Sequence, residues 1–147
     1  MVRRRGTAAV VAVMLGATLA GCGQDAETDP ENLTGSWVLV EFQDGNASDP
    51  LIETTVTLKD GRVAGNGGVN ELTGGFKAEE GGKVTFDKVS TSRKAGPLDA
   101  ADQEDRFLAS LGKVAAFEVD EGDDGDRTEL ELKNSVGVTL LSFVEAP

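Results

Sequence analysis

The chain has 147 residues, with 26 acidic against 14 basic side chains, a formal charge of −12, one cysteine and neither histidine nor tyrosine. An acidic body of this kind is repelled by phosphate backbones and by anionic headgroups, which excludes nucleic acid and direct adsorption to lipid as partners. The missing histidine removes the commonest general base and transition-metal ligand, and a lone thiol cannot form an internal disulfide.

Residues 1–21 read as a signal peptide. Arg3, Arg4 and Arg5 form a positive start. Residues 7–20 form an apolar run of 14 residues, short of the ~20 that span a bilayer. Leu19-Ala20-Gly21-Cys22 closes the run with the sequence of a bacterial lipobox. The small Ala20 and Gly21, with Leu19 before them, suit the narrow subsites of a signal peptidase. Cys22 then takes the position that receives a thioether-linked diacylglycerol. Two or three acyl chains hold a protein firmly, at ~0.8 kcal/mol per buried methylene. An ordinary signal or an uncleaved anchor would leave the placing of the only cysteine unexplained. Cleavage before Cys22 removes three arginines and no acid, taking the charge to −15. The lipid-anchored protein would face outward from the membrane of a single-membrane cell. In a double-membrane cell, Gly23 is not the aspartate associated with inner-membrane retention, so the outer membrane is expected.

Residues 22–31 are polar, acidic and Pro-containing, and read as a flexible tether. Residues 32–147 are the folded domain. Residues 33–43 alternate as a strand, with Val38, Val40 and Phe42 on one face and Trp37 and Leu39 on the other. Thr54, Val56 and Leu58 share a face of a second strand. Asp60-Gly61 then predicts a type I′ hairpin into residues 62–64. The glycine-rich stretch from Gly65 to Asn70 lacks the parallel strand, helix and Lys-Ser/Thr pair of a phosphate loop. Bulges and close backbone packing at a barrel bend are therefore expected here in preference to phosphate binding. Strands are expected at residues 72–78 and 83–86, with 89–92 extending the latter. Arg93 and Lys94 sit in a loop, a rare positive spot whose default role is salt bridging.

Residues 99–111 predict the single helix, capped by Asp99 and stopped by Gly112. Ala101, Leu108 and Leu111 share its apolar face with Phe107 at the edge, leaving Gln103, Glu104, Asp105 and Arg106 on the polar side. Strands follow at residues 114–119, 128–132 and 136–144. In the last, Val138 and Leu140 lie on one face and Leu141 and Phe143 on the other. The acidic loop from Asp120 to Asp126 could gather calcium through hard oxygens, but its spacing does not fit an EF-hand, and an acidic turn needs no metal. The sum is a mainly β (α+β) domain: an antiparallel, partly open barrel of about eight strands, with one helix packed against it or plugging it.

These pieces, laid in order, resemble the META domain family of HslJ-like bacterial lipoproteins. The matching residues are Leu33-Thr34-Gly35-Ser36-Trp37, Gly61-Arg62-Val63-Ala64-Gly65, Gly68-Val69-Asn70-Glu71-Leu72-Thr73-Gly74-Gly75-Phe76, Thr91-Ser92-Arg93-Lys94-Ala95-Gly96-Pro97, the helix segment from Gln103 to Leu111, and Leu140-Leu141-Ser142-Phe143. The resemblance implies a partly open barrel similar to pilot lipoproteins of secretion systems, no enzymatic activity, and a loose link to stress response. Many members carry cysteines where this chain has Val69 and Gly96. If those cysteines pair in relatives, this chain lacks the staple and Val69 fills the space by apolar packing.

No catalytic, cofactor or metal residue emerges. With 26 acids, some carboxylates fall close by chance, so a proximal pair alone does not indicate acid–base catalysis. The expected role is non-enzymatic: a binding or interaction module anchored to the membrane through lipid on Cys22, with an envelope protein as partner. The alternative is a carrier that holds an acyl chain or small apolar ligand in the barrel.

Overall fold

The computed structural model describes residues 26–121 and 127–147. Leu19, Ala20, Gly21 and Cys22, and most of the acidic loop after Asp120, lie outside the described residues. The strands are β1 (Gly35–Phe42), β2 (Thr55–Lys59), β3 (Arg62–Asn66), β4 (Glu71–Glu79) and β5 (Lys83–Thr91); then come helix α1 (Leu98–Leu111) and β6 (Ala116–Glu121), β7 (Thr128–Lys133) and β8 (Thr139–Glu145). Each strand is antiparallel to its sequence neighbours, and β1 pairs with β8, so the eight close in a ring. The expected mainly β architecture with one helix is what forms. Asp60 and Gly61 both take positive φ, 51° and 72°, and join β2 to β3 as the dipeptide predicts.

Alternation puts one face of each strand inside the ring. Trp37, Phe107, Phe117 and Phe143 are its largest fully buried side chains, packed among leucines and valines. Each such side chain contributes about 1.5–3 kcal/mol relative to exposure. The Phe107 and Phe143 rings meet edge to face, 6.4 Å apart. The Trp37 indole N–H donates to the carbonyl of buried Leu33 at 3.1 Å, tying the incoming chain to β1. Just before it, Ala26–Thr28 forms a 3₁₀ turn against β6, and Asn32 and Thr34 donate back to Asp29 and Glu31. Residues 26–34, which include part of the expected tether, therefore carry hydrogen-bonded turns.

Bulges break the alternation in three places, and two of them overturn face assignments made from spacing. The β1–β8 register shifts between Leu39 and Glu41. Phe42 thereby turns inward with Trp37 and Leu39, not outward with Val38 and Val40. In β8, Leu132 pairs with Leu141 but Lys133 with Thr139, leaving Leu140 as the extra residue. Leu140 is thus buried beside Leu141 and Phe143 instead of facing away. The third bulge lies in β5, where Lys88 takes a positive φ of 53°. An unpaired extra residue resets the pleat, which periodic reading cannot anticipate.

Helix α1 also differs from expectation. It begins at Leu98 with Pro97 in the capping position and no side-chain cap. Asp99 lies inside the first turn, its carboxylate accepting from the Ala100 N–H at 2.9 Å. Gly112 ends the helix in the right-handed conformation, with its N–H still donating to Leu108. The buried face is Ala100, Gln103, Glu104, Phe107 and Leu111, while Ala101 and Leu108 are only half-buried. Gln103 and Glu104, expected on the polar side, are 7% and 6% exposed.

Candidate functional site

The helix sits at the end of the ring where β1 runs into β2 and β3 into β4. Loops there expose backbone donors and acceptors, and buried backbone groups require partners. Gln103 and Glu104 supply them, so this end of the helix face must be polar.

Glu104 accepts from the N–H groups of Val69 (2.9 Å) and Asn70 (2.6 Å) and from the Asn70 side-chain amide (2.7 Å). Burial pushes its pKa up, but the Asn70 side chain and the two backbone donors outweigh it and hold the carboxyl below its ordinary value. Gln103 accepts from the Asp49 N–H and donates to the Ile52 carbonyl and the Thr54 hydroxyl. Thr54 passes the chain on to the Gly67 carbonyl at 3.0 Å. Asn70 accepts from the Lys94 N–H and the Ser92 hydroxyl, joining the loop after β5 to the same knot.

The glycine-rich loop therefore does surround an anion, and the anion is the chain's own. Backbone N–H groups of Val69 and Asn70 point at the Glu104 carboxylate. A Cβ on Gly67 would lie 2.8 Å from Glu104 Cγ, and one on Gly68 would lie 2.8 Å from the Ala100 carbonyl. The close-packing reading of these glycines holds, with the helix as the packed surface.

Gly96 and Val69 are also brought together. A Cβ on Gly96 would stand 3.2 Å from Val69 Cβ and 2.6 Å from its nearest methyl carbon. Val69 fills the space that a side chain at residue 96 would take, as expected.

On one side of α1 the ring is thin. β5 pairs with β4 along its length, from Glu79 with Lys83 to Leu72 with Thr91. With β6 it shares one register pair, Lys83 with Ala116. Beyond Val84 the strand pairs no further with β6, and a groove of about 450 Å³ lies between it and the helix. Phe86, Val89 and Thr91 form its strand wall, Leu108 and Leu111 its helix wall, and Arg93 its rim. Arg93 holds a positive φ of 43°. It makes no ion pair among the described residues, contrary to the default expected for this loop. Sequence reasoning noticed the charge at residue 93 but not the groove, because the seam depends on how far β6 follows β5.

Among the described residues, Glu27, Glu118 and Asp120 bring carboxylate oxygens within 4.8 Å of one another. Glu118 is already paired with Lys133, which also reaches Glu131 at 3.0 Å. Burial lowers the Lys133 pKa, but Glu118 and Glu131 outweigh it and raise it.

The META domain family matches residues 31–147, four-fifths of the chain. The chain belongs to the META domain family. Among curated proteins none matches the sequence. Among solved structures, this META domain is similar to a protein from Burkholderia xenovorans, at 19% identity and a TM-score of 0.62, over 99% of each chain. It is also similar to a DUF4847 family protein from Bacteroides vulgatus, at 16% identity and a TM-score of 0.52, over 77% of this chain and 93% of that one. Both likenesses concern the fold alone.

Proposed function

We propose that this META domain protein is a non-enzymatic, lipid-anchored binding module of the cell envelope. Acyl chains on Cys22 hold it to the membrane, and the groove between β5 and α1 receives an envelope partner in a role linked to envelope stress. The groove carries this reading. It is a concavity with both apolar and polar lining, with Arg93, which makes no ion pair among the described residues, at its rim, and it lies within the size range of ligand sites. The chemistry of the buried acid supports a non-catalytic role. Glu104 accepts three hydrogen bonds from fixed donors, so its proton affinity serves the fold and is not free for transfer.

The carrier reading places an acyl chain within the barrel. Trp37, Phe107, Phe117 and Phe143 occupy that interior, which favours the groove as the seat of any apolar ligand.

The test is a photo-crosslinking residue in place of Leu108, in intact cells, with Thr57 on the exposed face of β2 as control. A discrete adduct from residue 108 alone is the expected result. Equal labelling at both positions would overturn the groove as the site. In the same cells Cys22→Ser should move the protein from the membrane pellet to the soluble fraction; retention in the pellet would refute the lipid anchor.

A further inference from the structure

The wall of the groove formed by β5 is an unpaired strand edge. Successive residues of a strand turn their N–H and C=O to opposite edges. The Val84 N–H donates to Ala115 on the β6 side, so Phe86 turns its backbone groups the same way. The Ser92 N–H donates to Glu71 on the β4 side, so Thr91 and Val89 turn away from β4. The two readings agree only because Lys88 is the extra residue of the bulge, where the register steps from Gly75–Asp87 to Thr73–Ser90. Phe86, Val89 and Thr91 thus present backbone groups to one edge, and all three line the groove. Lys83 with Ala116 is the one register pair that joins this edge to β6, and past Val84 no loop backbone bond reaches the edge among the described residues. The helix packs on β8 through Phe107 and Phe143 and stands off from β5.

Resting on the reading of this groove as the binding site, we propose that its occupant is an extended segment of a partner protein that adds as a strand to β5. Main-chain bonds to Phe86, Val89 and Thr91 would hold it, as in other strand additions. One face of the segment would place an apolar side chain among Phe86, Val89, Leu108 and Leu111. An acidic side chain at its end would meet Arg93, the cation that lines this groove and makes no ion pair among the described residues. An acyl chain uses the apolar walls but leaves the backbone edge unanswered; a peptide uses both.

The experiment selects peptides from a displayed random library on the full chain, purified as the cell processes it. Amide hydrogen exchange is then followed with and without a selected peptide. In the free protein the amides of Phe86, Val89 and Thr91 should exchange faster than those of Asp87 and Ser90. Bound peptide should slow the first three at least roughly tenfold. Enriched peptides should alternate apolar residues and carry an acid, and Arg93→Glu should weaken them. Val89→Pro removes an edge donor without removing a bond to β4 and should abolish binding, while Val89→Ala should retain it. Should the proline variant unfold, Leu108→Glu blocks the helix wall and leaves the strand intact.

Peptide binding with unchanged edge amides overturns strand addition and leaves the groove as a site. No enriched peptide, with palmitate shifting the Leu108 and Leu111 methyl resonances, overturns it in favour of an acyl ligand. Edge amides slowed by protein concentration alone overturn it in favour of a second copy of the chain. No response to either probe overturns both this proposal and the groove itself.

Discussion

Both nitrogens of Asn70, backbone and side chain, donate to the carboxylate of Glu104, at 2.6 and 2.7 Å. This pair ties the glycine-rich loop to the helix that closes the ring, and Asn70 extends the tie to Ser92 and Lys94. Glu104→Gln presents an amide donor to groups that are themselves donors. It is expected to cost about 1–3 kcal/mol, read as a lowered midpoint in urea.

The same pair predicts a pH dependence. The folded pKa of Glu104 is lowered, so its contribution is fully present above the unfolded value of about 4.3 and is lost as pH falls through the folded value. Melting curves of wild type and Glu104→Gln should therefore differ most at neutral pH and converge toward acid. A gap that stays constant down to strong acid would mean that the carboxylate is not what holds the loop.

Val69 and Gly96 stand at disulfide distance. The Cβ separation of 3.2 Å is slightly short of the ~3.8 Å typical of a bridge, a difference small backbone shifts supply. Val69→Cys combined with Gly96→Cys should oxidise spontaneously and add about 3 kcal/mol by closing the loop between them. Thiol labelling and thermal melts with and without reductant check this. Free thiols after air oxidation would show that the two loops do not hold this separation.

Phe107 joins the helix to β8 at the centre of the core, and its ring is fully buried. Phe107→Ala should cost about 3–5 kcal/mol, while Leu108→Ala, at the half-buried groove, should cost clearly less. Equal losses in denaturant titrations would contradict the placement of the helix.

Calcium is expected to leave the protein unchanged. Glu118, the one half-buried member of the three-carboxylate group, is already paired with Lys133. Melting temperatures in calcium and in chelator should coincide, since a ligand that binds only the native state raises the melting temperature.

Local chemistry determined much of this protein in advance. The Asp60-Gly61 turn, the alternation of Thr54, Val56 and Leu58, and the α-helix that begins near residue 100 all follow from preferences within a few neighbouring residues. The motif order of residues 31–147 was legible as a pattern along the chain, although the loop of residues 68–70 and Glu104 turn out to serve one another across the fold. What only the tertiary structure decided is which face counts as inside. Gln103 and Glu104 look like solvent residues until the loops above the ring bring backbone donors and acceptors that need them. Phe42 and Leu140 change face because bulges add a residue, and a bulge is set by the partner strand, not by its own spacing. The groove is of the same kind. Its existence depends on β6 leaving β5 after one register pair, a long-range fit that no window of the chain contains.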